Sequence, residues 1–326
     1  MDRLQGLIQT FFISVVITLT ITPAPCSLAQ PWPQRPVRVI VPIGPGSSPD
    51  VAARTFAERL AVHWAQPVVI ENRTGADGLT GTIAFTAAHD DHMLLFAPAS
   101  PVSVYPLIQE KLPYDPVRDV LPVSTVVETF GTIAVPTSLP VANLTELVNF
   151  ARTRPGQLTW ATGGGAFPIL MSAFMKSEGL ETVHVPYRDQ NLAVQDAAQG
   201  RVQIFATAMT AVLPLIQAGK IRVLAVTNKK RSPAWPDIPT ATESGYPHLA
   251  FDGLIGMFAP HGTPDDRRER ISADIRAIAA DEGVAKRLNA SGQIVRGSTP
   301  AEFGAAIEQQ RATLAALAQR TGASRH

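Results

Sequence analysis

Small polar residues and glycines follow an apolar run early in the chain, a spacing typical of an anion-binding turn. Residues 37–43 are nearly all β-branched, as in a strand buried on both faces of a parallel sheet. Residues 44–50 then read Gly-Pro-Gly-Ser-Ser-Pro-Asp, in which Ser48 is the expected N-cap of a helix and Pro49 its first residue. Such a turn gathers free N–H groups at the positive end of a helix dipole. We therefore predict ligand contacts for Ile43, Gly44, Gly46, Ser47, Ser48 and Asp50.

This turn also has a plain structural interpretation, a strand–helix connection in which glycine only satisfies the backbone angles. Pro45 and Pro49 lack N–H groups, so an anion site here offers fewer donors than a glycine-rich one. Asp50 has an alternative role as well, because the helix dipole stabilises a carboxylate in the first helical turn.

A second turn of the same type follows another strand-like run. Residues 162–166 read Thr-Gly-Gly-Gly-Ala, between a predicted strand over 158–162 and a helix that opens near Pro168. Facing each other across a cleft, the two turns would hold one carboxylate from both sides. Charge-assisted hydrogen bonds contribute about 1.5–3 kcal/mol each, so a few of them suffice for micromolar binding, roughly −8 kcal/mol. Tight-turn geometry is again the alternative. The predicted contacts here are Thr162, Gly163, Gly165 and Ala166, with Thr207 at the end of a further strand.

Other polar residues offer at most weak catalytic or metal signals. His-Asp-Asp-His at 89–92 could hold a metal, but we predict a polar loop between a helix and a strand. Neither glycine turn has the lysine of a P-loop, and the first lacks the dinucleotide spacing. The sequence contains no Gly-x-Ser-x-Gly elbow and no Cys/His pair, so we expect neither an enzyme nor a cofactor. The remaining candidates for a ligand site are Glu71, Asp196, Tyr187 and Arg188, with ordinary structural roles as the alternative.

Strand-like and helical patterns alternate along the chain, which predicts an α/β fold with mostly parallel sheets. The predicted strands cover 37–43, 67–71, 93–97, 132–135, 158–162, 183–186, 202–207 and 222–227. The predicted helices cover 49–64, 78–88, 144–153, 168–177, 192–198, 212–217, 264–281, 284–290 and 300–321. Residues 126–136 and 249–264 are candidate crossings between two α/β blocks. We therefore predict one domain from residues 30–127 and 252–326, a second from 128–251, and a ligand cleft between them.

The first 29 residues are typical of a secretory signal peptide. A short apolar run follows Arg3 and precedes Ser-Leu-Ala at 27–29, which predicts cleavage after Ala29. A membrane anchor is the alternative, but the run is shorter than the roughly 20 residues that a spanning helix needs. The single cysteine, Cys26, lies in this segment. A lipid anchor there is a further alternative, although Pro25 precedes it where a small residue is expected. The mature chain would lack thiols and disulfides.

Composition excludes several partner classes. The 326 residues are 45% hydrophobic and 17% charged, enough for two domains with proper cores. The net charge is +1, and no block of like charge points to nucleic acid or a membrane surface. We expect a monomer with a small-molecule ligand.

Several segments together resemble a known family. They include Arg-Val-Ile-Val-Pro at 38–42, Gln-Pro-Val-Val-Ile-Glu-Asn-Arg at 66–73, Leu-Pro-Tyr-Asp-Pro at 112–116, His-Val-Pro-Tyr at 184–187 and Pro-Asp-Ile-Pro-Thr at 236–240. The chain resembles the Bug family, the extracytoplasmic solute receptors of tripartite tricarboxylate transporters, over essentially its whole mature length. The resemblance implies a two-domain periplasmic-binding-protein fold (Venus flytrap, type II) with a double-strand hinge. It also implies a periplasmic location, transporter membrane subunits as partners, and a small carboxylate held by the loops at 43–48 and 162–166.

Departures from the family pattern bear on the ligand. The usual Gly-Gly-Gly-Thr-Asp is Gly-Ser-Ser-Pro-Asp at 46–50, and Gly-x-Gly-Ser-x-x-His is Gly-Gly-Gly-Ala-Phe-Pro-Ile at 163–169. A hydroxyl and a histidine are lost and Phe167 is gained, which indicates a monocarboxylate or a more apolar acid. We predict a receptor that closes over a small organic anion for transport. The alternative is a sensing receptor that presents its closed form to a signalling partner, and an enzyme on this fold is the least favoured.

Overall fold

A computed structural model describes residues 32–187 and 190–321, so the predicted signal peptide with Cys26, and also Arg188 and Asp189, lie outside the described residues. The strands are β1 (Val37–Val41), β2 (Val68–Asn72), β3 (Met93–Pro98), β4 (Val120–Thr129), β5 (Gly131–Pro136), β6 (Thr159–Thr162), β7 (Val183–His184), β8 (Ile204–Ala208), β9 (Ile221–Val226), β10 (Gly253–Pro260) and β11 (Gln293–Val295). The helices are α1 (Ser48–Trp64), α2 (Leu79–Ala87), α3 (Ser100–Ser103), α4 (Tyr105–Ile108), α5 (Leu144–Arg152), α6 (Phe167–Ser177), α7 (Gln190–Ala198), α8 (Met209–Gln217), α9 (Asp265–Ala279), α10 (Glu282–Asn289) and α11 (Pro300–Thr321).

Two sheets, each covered by helices on both faces, make up two lobes. The first lobe has the strand order β11-β4-β10-β3-β1-β2 with helices α1–α4 and α9–α11. The second has the order β7-β6-β8-β5-β9 with α5–α8. Alternate residues of β1 face opposite cores: Val39 packs with Phe56 of α1, whereas Ile40 packs with Phe85 of α2. The β-branched run of β1 is therefore buried on both faces, as its sequence predicts.

Both sheets are mixed, so the expectation of mostly parallel sheets is wrong. β10 runs antiparallel to β3 and β4, and β5 runs antiparallel to β8 and β9. The cause is the route of the chain: β4 leaves the first lobe for β5, and β10 returns beside it, so neighbouring strands must point in opposite directions. β10 lay in a segment predicted only as a crossing, and of β4 only residues 126–129 fell in a predicted crossing, the rest having no predicted element. The domain limits at 127 and 252 stay a prediction.

The predicted elements all have counterparts, with small shifts at their ends. α1 begins at Ser48, and its N-cap is Ser47. The predicted N-cap, Ser48, is thus wrong by one residue. The Ser47 side chain makes no capping hydrogen bond to the first helical N–H groups. Proline then occupies the second helical position, where an N–H is still not required.

Several contacts join the lobes. Leu314 and Leu317 near the end of α11 pack with Leu170 of α6 and with Tyr105 of α4. At the crossing, Asn228 accepts a hydrogen bond from the Gly131 N–H and donates one to the Thr129 carbonyl, each 3.1 Å long. The Trp235 ring, in the loop after β9, lies directly over Gly292, where a Cβ atom would be 3.0 Å from the ring. Apolar packing and side-chain-to-backbone hydrogen bonds therefore both join the lobes in this arrangement.

Candidate functional site

A cavity of about 780 Å³ lies between the two lobes. Most of the predicted ligand contacts line it: Ile43, Gly44, Gly46, Ser47, Ser48, Gly165, Ala166 and Thr207. Asp50, Thr162 and Gly163 lie behind the lining. The two predicted turns thus face one cavity from opposite lobes, and the ligand role of each residue stays a prediction.

Asp50 shapes the first turn. Its carboxylate is buried, at 1% exposure of the residue, and accepts hydrogen bonds from the Gly46 N–H (2.9 Å), Arg54 Nε (2.9 Å) and Asn72 Nδ2 (2.8 Å). Asn72 Nδ2 also donates to the Ile43 carbonyl at 3.0 Å. Burial alone would raise the pKa of Asp50, but the hydrogen bonds and the Arg54 charge outweigh it, and the pKa is lowered. Asp50 therefore stays ionised and holds the turn from behind.

The first turn retains few donors for a ligand. The Gly46 N–H is used by Asp50, and the Ser47 N–H bonds the Gly44 carbonyl at 3.3 Å. Ser48 Oγ accepts a hydrogen bond from Gln293 of β11. By contrast, Ser47 Oγ is buried with no hydrogen-bond partner among the described residues. The Ser47 hydroxyl and the N–H groups of the first turn of α1, which the helix itself leaves unbonded, are the available donors.

Thr207 is the corresponding polar group on the second wall. The residue is 1% exposed, and its Oγ1 has no hydrogen-bond partner among the described residues. A Cβ atom at Gly163 would lie 2.6 Å from Thr207 Oγ1 and from Gln190 Oε1, so only glycine allows this approach. Gly163 itself donates to the Ala206 carbonyl at 2.8 Å, which ties the second turn to β8. Gly163 therefore positions the second turn against β8 and Thr207, although it does not itself line the cavity.

Asp77 was not predicted, and it joins the two lobes. Its Oδ2 accepts a 2.7 Å hydrogen bond from the Gly165 N–H in the second turn. Although the residue as a whole is exposed, protein atoms crowd its carboxyl group, and this desolvation raises the pKa of Asp77, with only partial compensation from Gly165. Asp77 is the only carboxylate among the described lining residues, and they include no Lys, Arg or His. Its position between Gly75 and Gly78 was the available sequence signal, since paired glycines mark a sharp turn.

The rest of the lining is a mixture of apolar and uncharged polar groups. Sequence reasoning missed most of them, because they come from turns that only the tertiary fold brings together. They include Ser100, Tyr105, Thr129, Gln190, Thr210, Leu213, Gln217, Phe251, Ser291 and Gln310. Phe167, the residue gained relative to the family pattern, also lines the cavity and packs over Gly131. The cavity therefore suits a small molecule with an apolar part.

The other polar candidates have structural partners outside the cavity. Glu71 pairs with Arg38 and Arg73. Asp196 accepts hydrogen bonds from the Tyr187 hydroxyl at 2.7 Å and from Arg201 at 2.9 Å. These carboxylates are thus neutralised by neighbours on their own lobe.

The acidic loop at 89–92 forms a structural network. Asp90, Asp91 and His92 bring ligand atoms within 4.8 Å of one another. However, Arg35 contacts Asp90 at 2.6 Å, and Arg267 contacts Asp91 at 3.0 Å. His92 uses both ring nitrogens, one with Asp91 at 2.7 Å and one accepting the Gln34 N–H at 3.2 Å. The arrangement supports the predicted polar loop rather than a cation site.

No helix in the described part of the chain has both the length and the apolar character to cross a membrane.

Comparisons with known proteins agree with this architecture. The model of the tripartite tricarboxylate transporter family receptor (TctC) matches residues 52–302. A UPF0065 protein of Bordetella bronchiseptica is 33% identical over 319 residues, 97% of this chain and 93% of that protein. The protein BugT of Bordetella pertussis is 31% identical over 327 residues, 99% and 98% of the two chains.

Solved structures resemble the whole of both lobes. The R. palustris protein Rpa4515, solved with adipate, superimposes with a TM-score of 0.80 at 29% identity, covering 90% of this chain and 99% of that one. The periplasmic binding protein BugD gives a TM-score of 0.78 at 28% identity, covering 90% and 100%. The two-sheet α/β architecture with an inter-lobe cavity is thus the fold of periplasmic binding proteins, and the chain belongs to the tripartite tricarboxylate transporter receptor family.

Proposed function

We propose that this protein is a periplasmic receptor that captures a small organic carboxylate between its lobes and delivers it to the membrane subunits of a tripartite tricarboxylate-type transporter. One observation carries the proposal. Ser47 Oγ and Thr207 Oγ1 are buried, lack partners among the described residues, and belong to opposite walls of one cavity. A buried hydroxyl without a partner destabilises a fold by about 1–3 kcal/mol, so a ligand that accepts from both gains that energy.

The start of α1 supports an anionic ligand. Ser48 begins α1 and lines the cavity, whereas the Gly165 N–H just before α6 is already bonded to Asp77. Helix N-termini favour negative charge because their first N–H groups are unbonded and their dipoles point positive ends outward. An anion held by such groups needs neither a metal nor a covalent step.

The ligand class also has support from a relative. The R. palustris protein that is 29% identical to this chain was solved with adipate. A carboxylate in the present cavity would contact turns from both lobes only when the lobes are together. Its binding therefore shifts the population toward the closed arrangement by its difference in affinity for the two states.

Replacing Thr207 with valine separates binding from stability. Valine keeps the shape but removes a hydroxyl that has no partner, so we expect the free energy of unfolding without ligand to be unchanged or raised by about 1 kcal/mol. Affinity for the preferred acid should fall about tenfold or more, since a hydrogen bond to a charged group contributes about 1.5–3 kcal/mol. Urea denaturation and calorimetric titration measure the two effects.

The acid itself is found by thermal-shift screening against a panel of mono-, di- and tricarboxylates, followed by titration. Thr313→Val makes the same substitution on the exposed side of α11, where it removes only a 2.9 Å hydrogen bond to the Gln309 carbonyl of the same helix, so it serves as the control for binding and should leave the affinity unchanged. A panel in which no acid stabilises the folded protein contradicts the proposed function. Equal affinity of the wild type and Thr207→Val for the preferred acid would show that the Thr207 hydroxyl does not contact the ligand.

The transport role requires a separate cellular test. Deleting the gene should abolish uptake of the labelled acid, and plasmid-borne wild-type protein should restore it. Unchanged uptake together with a lost transcriptional response to the acid would instead identify the sensing receptor.

A further inference from the structure

We propose that Asp77 is a specificity-determining residue, whose carboxylate occupies the Gly165 N–H and so selects acids that carry a single carboxylate. The inference rests on the proposed function and names the chemical class of its ligand: one carboxylate at one end, and an amide, a hydroxyl or an apolar group at the other.

The position of Asp77 is fixed by its own lobe. Residues 75–78 form a turn in which every φ is positive, including those of Ala76 (47°) and Asp77 (56°). L-residues adopt this conformation only when the surroundings require it. The Tyr105 hydroxyl, on the buried Tyr105 side chain, donates a 2.5 Å hydrogen bond to the Asp77 carbonyl. The turn is thus held in a strained form that directs the carboxylate across the cavity.

The second lobe is shaped to receive this carboxylate. A Cβ atom at Gly164 would collide with both oxygens of Asp77, so glycine is required there for the approach. The Gly165 N–H then points at Oδ2 from 2.7 Å. Gly165 also has a positive φ of 71°, which turns the chain into α6. The glycines of the second turn therefore accommodate a carboxylate supplied by the protein itself.

This contact changes what the second turn offers a ligand. A ligand carboxylate bound at the start of α1 would contact Ser47 and the first-turn N–H groups. A second carboxylate on the same ligand, directed at the second turn, would need a hydrogen-bond donor there. It would find the Asp77 carboxylate instead, because Asp77 already accepts the Gly165 N–H. Two carboxylates about 4 Å apart repel each other more strongly inside a protein than in water. The described lining residues offer no cation to offset this repulsion.

The uncharged end of a monocarboxylate ligand is not repelled by Asp77. An amide or hydroxyl donates to the free lone pairs of the carboxylate, and an apolar end contacts Phe167 and Leu213, which also line the cavity. Hydrogen bonds to an ionised acceptor are stronger than neutral ones. The preference for acids with one carboxylate thus has both a repulsive and an attractive part.

The experiment compares matched acids on matched proteins. The probes are succinate, glutarate and adipate, each with its monoamide, which keeps the shape and removes one charge. The proteins are the wild type, Asp77→Asn and Asp77→Gly, because asparagine and glycine both tolerate the positive φ. Asp266→Asn is the control, since it removes one charge from an exposed residue at the start of α9. Calorimetric titration gives the affinity ratio of monoamide to diacid for each pair.

In the wild type and Asp266→Asn, we expect the monoamide of the best-fitting pair to bind at least about tenfold more tightly than the diacid. In both Asp77 variants this ratio should fall by about tenfold or more. A wild-type ratio near one, or a ratio that the Asp77 variants leave unchanged, overturns the inference while the proposed function stands. No binding of any probe to any of the proteins overturns the inference, and it contradicts the proposed function only if no acid of the screening panel binds either.

Discussion

Replacing Asp50 with alanine is expected to abolish carboxylate binding and to lower the free energy of unfolding by about 3 kcal/mol. The carboxylate is buried and serves the Gly46 N–H, Arg54 and Asn72 at once. Its loss leaves those donors without an acceptor. Asn72 at the end of β2 then keeps its hydrogen bond to the Ile43 carbonyl but loses the one to Asp50. The turn before α1 should therefore lose its shape, and with it the alignment of Ser47.

Urea denaturation and calorimetric titration with the preferred acid measure these two losses. Asp266→Ala is the matched control, because Asp266 is exposed and bonds only its neighbouring N–H in the described contacts. Asp50→Asn keeps one acceptor oxygen and should lie between the wild type and Asp50→Ala in both measurements. Wild-type affinity in a folded Asp50→Ala protein would show that the turn keeps its shape without the carboxylate.

The pH dependence of stability follows from the lowered pKa of Asp50. A carboxyl group with a lower pKa in the folded state stabilises the fold at pH values above its unfolded pKa, about 3.9. That stabilisation is lost as the pH falls through the folded pKa. The difference in unfolding free energy between the wild type and Asp50→Asn should thus be largest near neutral pH and should shrink in acid. A constant difference over that range contradicts the ionised role.

A single methyl group at Gly256 is expected to destabilise the first lobe by about 1–3 kcal/mol. Gly256 lies in the middle of β10, where the Phe303 ring of α11 packs directly on its backbone. A Cβ atom there would collide with that ring and would lie 2.7 Å from the Ser124 carbonyl of β4. Since β10 is buried between β3 and β4, the strand has no space into which it can shift.

Thermal and urea denaturation of Gly256→Ala test this expectation. Gly304→Ala is the control, because its Cβ would be 3.7 Å from Pro122, an ordinary contact distance, and alanine favours the helix. The double variant Gly256→Ala with Phe303→Leu should recover part of the loss, since leucine removes the ring atoms. Equal stability of Gly256→Ala and the wild type would mean that α11 does not press on β10.

Local patterns predicted most helices and strands because periodicity and turn residues are local signals. The strands β4 and β10 were not predicted, and the reasons are also local. Pro122 interrupts the apolar run of β4, and Gly253 and Gly256 make β10 read as a loop. Strand direction could not be predicted, because it depends on where the chain crosses between lobes and not on any one segment.

The site was predictable only where a strand leads directly into a helix. Both glycine turns have that form, and the structure brings them to one cavity. Asp77 belongs to neither turn, and only the packing of the second lobe against residues 75–78 gives it a partner. Asp50 belonged to a predicted turn, but its side chain points away from the cavity, and the sequence contains no signal for that direction.

The packing of Trp235 on Gly292 makes the protein's own fluorescence a probe of lobe movement. Trp32 and Trp64 contact each other within the first lobe, with ring centroids 5.0 Å apart, and Trp160 stacks on His184 within the second at 4.0 Å. Trp235 alone among these four packs against a glycine of the opposite lobe. Separation of the lobes would bring water to its ring and shift its emission to longer wavelength, so closure can be followed in unlabelled protein.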